Sequence, residues 1–257
     1  MSPVEKEVRS LLDQGKRTEA VARLRSELEK DPDNIGLHRL YQDTLRAMGE
    51  SDRLQKEYQA RLLKAPDDAL AHYLYGRALI LERTREAQDE FKKAVELDPN
   101  FLWGYLGLSS AMKMNDDKFE AVQALEQGMK HIPDSPLLYL NLADVRYSMK
   151  LYREAIEAAD KCIKLDPSLP EPYETAGFSY LMQGDDTNAR KYLERALKLA
   201  PQRAGAHLGL AHVYLNKGDT ATAKKYALQA KRLGREIPVD LAKALGLNEK
   251  PEASSGK

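Results

Sequence analysis

An all-helical solenoid of stacked helix pairs is the fold class that three features of the 257-residue sequence predict. The first is a ladder of prolines, Pro32, Pro66, Pro99, Pro133, Pro167 and Pro201, separated by 34, 33, 34, 34 and 34 residues. Each closes a stretch whose apolar residues recur three and four apart, as in Lys164-Leu165-Asp166-Pro167, so each marks the stop of an amphipathic helix. The second is an alanine twelve residues before five of those prolines, at Ala20, Ala87, Ala121, Ala155 and Ala189; Ala223 continues the series and Leu54 interrupts it. The third is a turn signal inside the repeats, at Gly49, Asn115-Asp116, Gly184-Asp185 and Gly218-Asp219. A fixed period of this size means a supersecondary unit that cannot bury its apolar face alone, so neighbours share a continuous core.

The elements follow in order. Ser2-Pro3-Val4-Glu5 supplies a capping hydroxyl, a proline at the first helical position and a glutamate three residues after the serine. That predicts a helix over 3–14 with Val4, Val8, Leu11 and Leu12 on one face, ended by Gly15. A second helix over 18–30 presents Ala20, Val21, Leu24 and Leu28. The pair is the unit, repeated over about 1–34, 35–68, 69–101, 102–135, 136–169, 170–203 and 204–236. The second unit departs most, with Gln42 and Leu54 at positions that call for small residues, and the turn of the third, Glu82 to Glu86, is one residue short. Small residues at Gly76, Ser109, Ala143, Gly177 and Ala211 allow close helix approach, while Tyr180 and Tyr214 fill the remaining space. Residues 237–246 read as a short helix capping the open end, and 247–257 as a disordered polar tail.

Charge excludes some functions and locates others. The formal net charge is zero, which removes any global argument for nucleic acid or membrane binding. Its distribution is uneven: residues 66–189 carry 13 Lys or Arg against 22 Asp or Glu, and residues 190–250 carry 13 against 5. A single cysteine, Cys162, excludes an intramolecular disulfide framework. No apolar run is long enough to span a bilayer, and the N-terminal residues lack the apolar core of a signal peptide. A cytoplasmic location is expected; an exported or lipid-anchored one requires a signal removed upstream.

The sixth unit, through Tyr173, Ala176-Gly177, Tyr180, Gly184, Ala189, Leu193, Ala196 and Pro201, resembles the tetratricopeptide repeat. So do the seventh, through His207, Leu210-Ala211, Tyr214, Ala223 and Ala230, and the third, through Tyr75-Gly76, Ala87, Phe91 and Pro99. The resemblance implies a right-handed α-α superhelix of about seven repeats plus the capping helix, acting as a non-catalytic adaptor or assembly scaffold. Its concave groove, lined by first helices, would take an extended peptide or amphipathic helix of a partner protein, with no cofactor and no small-molecule substrate. The implied lining includes Tyr73, Arg77, Trp103, Leu106 and Lys113 from the third and fourth units. Leu140, Asp144 and Tyr147 come from the fifth, and Glu171, Glu174 and Phe178 from the sixth. In this reading Trp103, Tyr147 and Phe178 are apolar anchors. Arg77 and Lys113, with Arg39 and Arg46 nearby, read acidic groups, and Asp144, Glu171 and Glu174 read basic ones. The bland alternative is that these side chains pack against neighbouring helices. Family members that clamp the acidic C-terminus of heat-shock chaperones use a lysine and asparagine ladder; here the matching places carry Tyr73, Arg77, Leu106, Leu140 and Asn141, and only Asn141 fits.

Signals for chemistry are absent from the sequence. The histidines show no metal-ligand spacing, and His38, His72 and His207 occupy the family's aromatic place. Cys162 lies where Ala94, Ala196 and Ala230 lie in other units, so it reads as core. Asp67-Asp68, Asp116-Asp117 and Asp185-Asp186 read as caps and turn formers. No phosphate loop or nucleophile elbow is present, and an enzyme is not expected. A basic stripe remains: Lys191, Arg195 and Lys198, then Lys224, Lys225, Lys231 and Arg232. It is either a solvated convex face or a dock for an acidic partner or an anionic surface; with few aromatics between its cations, nucleic acid is disfavoured. A further alternative, resting on fold analogy, is an accessory factor of bacterial pilus or envelope complex assembly.

Overall fold

The computed structural model describes residues 3–247, and among them contains fifteen helices and no strand. The chain forms two compact units, Met1–Ile132 and Pro133–Lys257. The first holds α1 (Pro3–Asp13), α2 (Arg17–Lys30), α3 (Ile35–Ala47), α4 (Ser51–Lys64), α5 (Ala69–Leu79), α6 (Thr84–Leu97), α7 (Leu102–Met114) and α8 (Lys118–His131). The second holds α9 (Pro136–Ser148), α10 (Tyr152–Leu165), α11 (Glu171–Met182), α12 (Asp186–Leu199), α13 (Ala204–Asn216), α14 (Thr220–Arg232) and α15 (Val239–Ala244). Within each unit consecutive helices pack on one another, and first helices of adjacent pairs also touch: α5 on α7, α9 on α11, α11 on α13. This is the pairwise stacking of an α-α solenoid.

The prolines end helices by acting on the residue before them. Asp31, Ala65, Asp98, Ile132, Asp166 and Ala200 all adopt φ between −131° and −142° with ψ between 68° and 98°. The proline ring clashes with a helical residue at this place, so the chain is driven to extended backbone. A second contact then closes the joint. His38 Nε2 lies 2.8 Å from the Pro32 carbonyl oxygen, and His72 and His207 repeat the contact with Pro66 and Pro201 at 2.9 Å each. A carbonyl only accepts, so Nε2 is a donor in all three. Tyr173 donates its hydroxyl to the Pro167 carbonyl at 3.3 Å, six residues back like the histidines. These histidines thus brace the proline joints.

Inside the pairs, the turns pass through one left-handed residue: glycine at 15, 49, 184 and 218, but Asp116 at φ 65° and Lys150 at φ 62°. The short third turn has none; the Arg83 N–H instead donates to the Leu79 carbonyl at 2.8 Å. Close packing explains the small residues. A Cβ added at Gly107 would lie 2.6 Å from the Phe91 ring, so no larger residue fits without displacing it. Gln42, the misfit of the second pair, is fully buried and donates from Nε2 to the Leu74 carbonyl at 2.9 Å.

Element ends shift slightly from the sequence reading: α1 stops at Asp13 and α2 begins at Arg17. The last helix is shorter than 237–246 because Pro238 is extended and Gly246 is left-handed. It buries Leu241 and Leu245 with Ala227 and Ala230, yet leaves Val239 75% exposed. The expected cap Ser2, and the expected tail beyond Leu247, lie outside the described residues.

Candidate protein-binding faces

In the first unit, α3, α5 and α7 bring Arg39, Arg46, Tyr73, Arg77 and Trp103 together. Tyr73 forms the floor rather than the surface. It is 4% exposed, with its ring 5.8 Å from Phe91, 5.6 Å from Phe101 and 6.4 Å from Trp103. Trp103 is half-buried, and the Arg39 guanidinium lies 4.4 Å above its ring, a cation–π contact that spans three first helices. Arg77 donates from Nη2 to Asp43 Oδ1 at 2.7 Å, and Arg46 donates to the same oxygen at 3.1 Å and to the Arg77 carbonyl. Burial, and then the charge of Arg77, hold the Arg46 guanidinium below its usual pKa. Two guanidiniums share the Asp43 carboxylate and the third, that of Arg39, lies over Trp103, so cations outnumber the carboxylate on this face. Leu106 is half-buried on α7, and Lys113 is exposed at its end.

The second unit treats its predicted residues differently. Arg203, one residue before α13, donates from Nη1 to Glu171 Oε1 at 2.6 Å and from Nε to the Glu174 carboxylate. Burial opposes the charge on Arg203, but the hydrogen bonds and charges of Glu174 and Glu171 outweigh it and raise the guanidinium pKa. The acidic pair therefore already holds a cation of its own chain. Asp144 accepts from the Thr175 hydroxyl at 2.8 Å. Tyr147 lies between Tyr152 and Phe178, with centroids at 5.7 and 6.5 Å, and burial pushes its phenol pKa up. Leu140, Tyr147 and Phe178 are half-buried and keep an apolar strip on this face. The Asn141 amide donates to the Leu137 carbonyl of its own helix at 2.9 Å. Arg203 is the residue that sequence reasoning missed; its signal is a spacing of 32 residues from Glu171, close to one repeat.

The remaining candidates fall on second helices. Lys191 and Lys198 are exposed and Arg195 half-buried on α12, while Lys224, Lys225, Lys231 and Arg232 are exposed on α14. Cys162 is buried on α10, and burial, with Asp166 nearby, pushes its thiol up to about 12, so it stays protonated at neutral pH. Asp68 and Asp185 cap α5 and α12 by accepting from the Leu70 and Asn188 amides. Asp117 instead accepts from Arg85 at 2.6 Å. Among the described residues no three His, Cys, Asp or Glu side chains are placed to hold a metal ion.

Stacked helix pairs at this period, with polar and aromatic side chains converging on first-helix faces, define a helical repeat scaffold. Two family models described as tetratricopeptide repeat match the chain, one over residues 180–245 and one over 70–101 and 137–169, and the chain belongs to that family. It is 25% identical over 157 residues to Hsp70-Hsp90 organizing protein 2 of Arabidopsis thaliana, which is 59% of this chain and 26% of the relative. It is 29% identical over 83 residues to small glutamine-rich tetratricopeptide repeat-containing protein 2 of Saccharomyces cerevisiae, 32% of this chain and 24% of the relative. The chain thus spans about a quarter of the length of either relative. The APC/C hetero-tetramer Cut9-Hcn1 shares the fold, with a TM-score of 0.71 over 95% of this chain and 48% of that one, at 19% identity.

Proposed function

We propose that this protein is a non-catalytic adaptor that captures a segment of a partner protein on the first-helix face of its first unit. The segment it suits is acidic with an apolar anchor. The observation that carries this reading is the pair Arg46 and Arg77 on the carboxylate of Asp43, with Arg39 stacked on the half-buried Trp103 beside them. Arg46 and Arg77 are engaged between α3 and α5, so Arg39, Lys113 and the Trp103 ring are the groups offered outward, with Leu106 beside them. The strip of Leu140, Tyr147 and Phe178 in the second unit suits an apolar segment. A basic partner group would have to displace Arg203 from Glu171 and Glu174. A relative named as an Hsp70-Hsp90 organizing protein supports the adaptor reading. Recognition would not use a two-carboxylate clamp, because its places carry Tyr73, Arg77, Leu106 and Leu140 and the Asn141 amide is engaged. Among the described residues no helix is long and apolar enough to cross a membrane, and the reading places the protein in the cytoplasm.

The test is affinity selection from a displayed peptide library, using the full chain and an Arg39→Glu/Lys113→Glu variant with unchanged circular dichroism. Enrichment of acidic peptides carrying an aromatic or leucine, lost in the variant, supports the reading. No enrichment, or the same enrichment by both proteins, overturns it.

A further inference from the structure

Two clefts between second helices occupy the same place in their units, and they differ in how their charges are settled. The first, about 410 Å³, lies between α2 and α4 and includes Leu28, His38, Arg25 and Arg61. Its cations are satisfied by their own chain: Arg25 pairs with Glu57, and Arg61 pairs with Asp33 at 2.8 Å. The second, about 480 Å³, has Ile163 of α10 in the place of Leu28 and Tyr173 of α11 in the place of His38. Its remaining wall is α12, with Tyr192 beside Tyr173 at 6.2 Å between centroids.

Along the rim of this second cleft, Lys191, Arg195 and Lys198 stand on successive turns of α12. None of the three has a carboxylate partner among the described residues; Arg195 lies 5.7 Å from the Tyr173 centroid instead. The one acidic residue of the rim, Glu194, is paired with Arg190 at 3.7 Å. The Tyr192 hydroxyl is held by Asp160 at 2.8 Å, which fixes the ring as a wall. The cleft therefore combines an apolar floor, rigid aromatic sides and three unneutralised cations.

We propose that the cleft between α10 and α12 is a second protein-binding site, which takes an apolar side chain of an acidic peptide segment onto Ile163, Tyr173 and Tyr192 while Lys191, Arg195 and Lys198 hold its carboxylates. Its volume suits one or two side chains, within the ordinary range of ligand sites. The cations sit along one helix face, matching carboxylates spaced along a strand or turn of peptide rather than a compact polyanion. The rings are recessed below the cations, so the occupant must project an anchor inward. A bilayer offers no such projection, which favours a peptide over a lipid surface. This site is separate from the first-helix face, and an adaptor with both could hold two partners.

The test uses the full chain carrying Arg39→Glu/Lys113→Glu, so that only the second site is read. The probe is a fluorescein-labelled peptide with one phenylalanine flanked on each side by glutamates, followed by fluorescence anisotropy. Saturable binding that falls about tenfold or more in Arg195→Glu/Lys198→Glu, and less but measurably in Arg195→Gln/Lys198→Gln, is expected, with weakening as salt rises. A peptide with alanine for the phenylalanine should bind several-fold more weakly. Absence of saturable binding, equal binding of the alanine peptide, or no effect of either α12 variant overturns the proposal. So does binding to phosphatidylserine-containing vesicles without binding to the peptide.

Discussion

The Arg77 guanidinium and the Asp43 carboxylate meet at 2.7 Å across α5 and α3, and Arg46 reaches the same oxygen at 3.1 Å. One carboxylate thus separates two arginines whose side chains are only 18% and 14% exposed. Asp43→Asn keeps the shape and removes the charge, leaving two guanidiniums face to face. Urea unfolding should show a loss of about 1–2 kcal/mol, larger at low salt, since charged hydrogen bonds contribute about that much once partial exposure is discounted. An unchanged urea midpoint would show that the cluster is neutralised some other way.

Arg203 plays the reverse part in the second unit, one cation between two carboxylates. Arg203→Met leaves Glu171 and Glu174 repelling each other, and a loss of about 1–3 kcal/mol is expected. Adding Glu174→Gln should recover part of it, because the two substitutions act on one network. A double-mutant cycle by urea unfolding measures this; strict additivity would refute the shared network.

Lys150 closes the α9–α10 turn at φ 62°, where four of the other turns use glycine. A side chain in this region costs energy that glycine avoids, so Lys150→Gly should raise stability by about 0.5–1 kcal/mol after the entropy of the unfolded glycine is counted. Asp116→Gly should gain less. Aspartate tolerates the left-handed region, and Asp116 also pairs with Lys118 at 2.9 Å. Equal gains at both sites, or a loss at Lys150, would contradict this account.

His38 makes stability depend on pH. Burial lowers its pKa below the ordinary value, the Pro32 carbonyl pulls the other way, and the nearby Arg61 lowers it further. Tyr58 lies 2.7 Å from Nδ1, which accepts from the hydroxyl in the neutral ring. A depressed folded pKa means that the unfolded chain takes up the proton first. Stability from this group is therefore complete above an unfolded value of about 6.5 and declines as pH falls from there towards the folded value. Urea midpoints between about pH 7.5 and pH 5 should fall less steeply for His38→Gln than for the unaltered protein; identical slopes would remove His38 from the explanation.

How far the chain can be read without coordinates depends on whether a residue acts within its own repeat. The stops at Pro32 through Pro201 and the turns at Gly49 and Gly184 are local steric events, so their spacing alone places fourteen helices in seven pairs. The buried position of Tyr73 is not local: its ring is covered by Phe101, at the start of α7, and by Trp103 of the next pair, and only the stacked neighbour tells it apart from a groove residue. Arg203 is hidden for the same reason. It reads as a loop residue until α11 and α13 are set side by side. The Arg39–Trp103 contact reaches over 64 residues and two repeat boundaries, beyond anything that the spacing within one unit encodes.

The bond from His38, His72, Tyr173 and His207 to the proline carbonyl six residues earlier has a further consequence for how the polypeptide is made. Its two ends are so near in sequence that closing the loop between them takes only about 10–100 ns. A chain leaving the ribosome one residue at a time can seal these four joints as each clears the tunnel, before the repeat that follows has been completed. At these places each newly sealed joint presents a surface on which the next helix condenses.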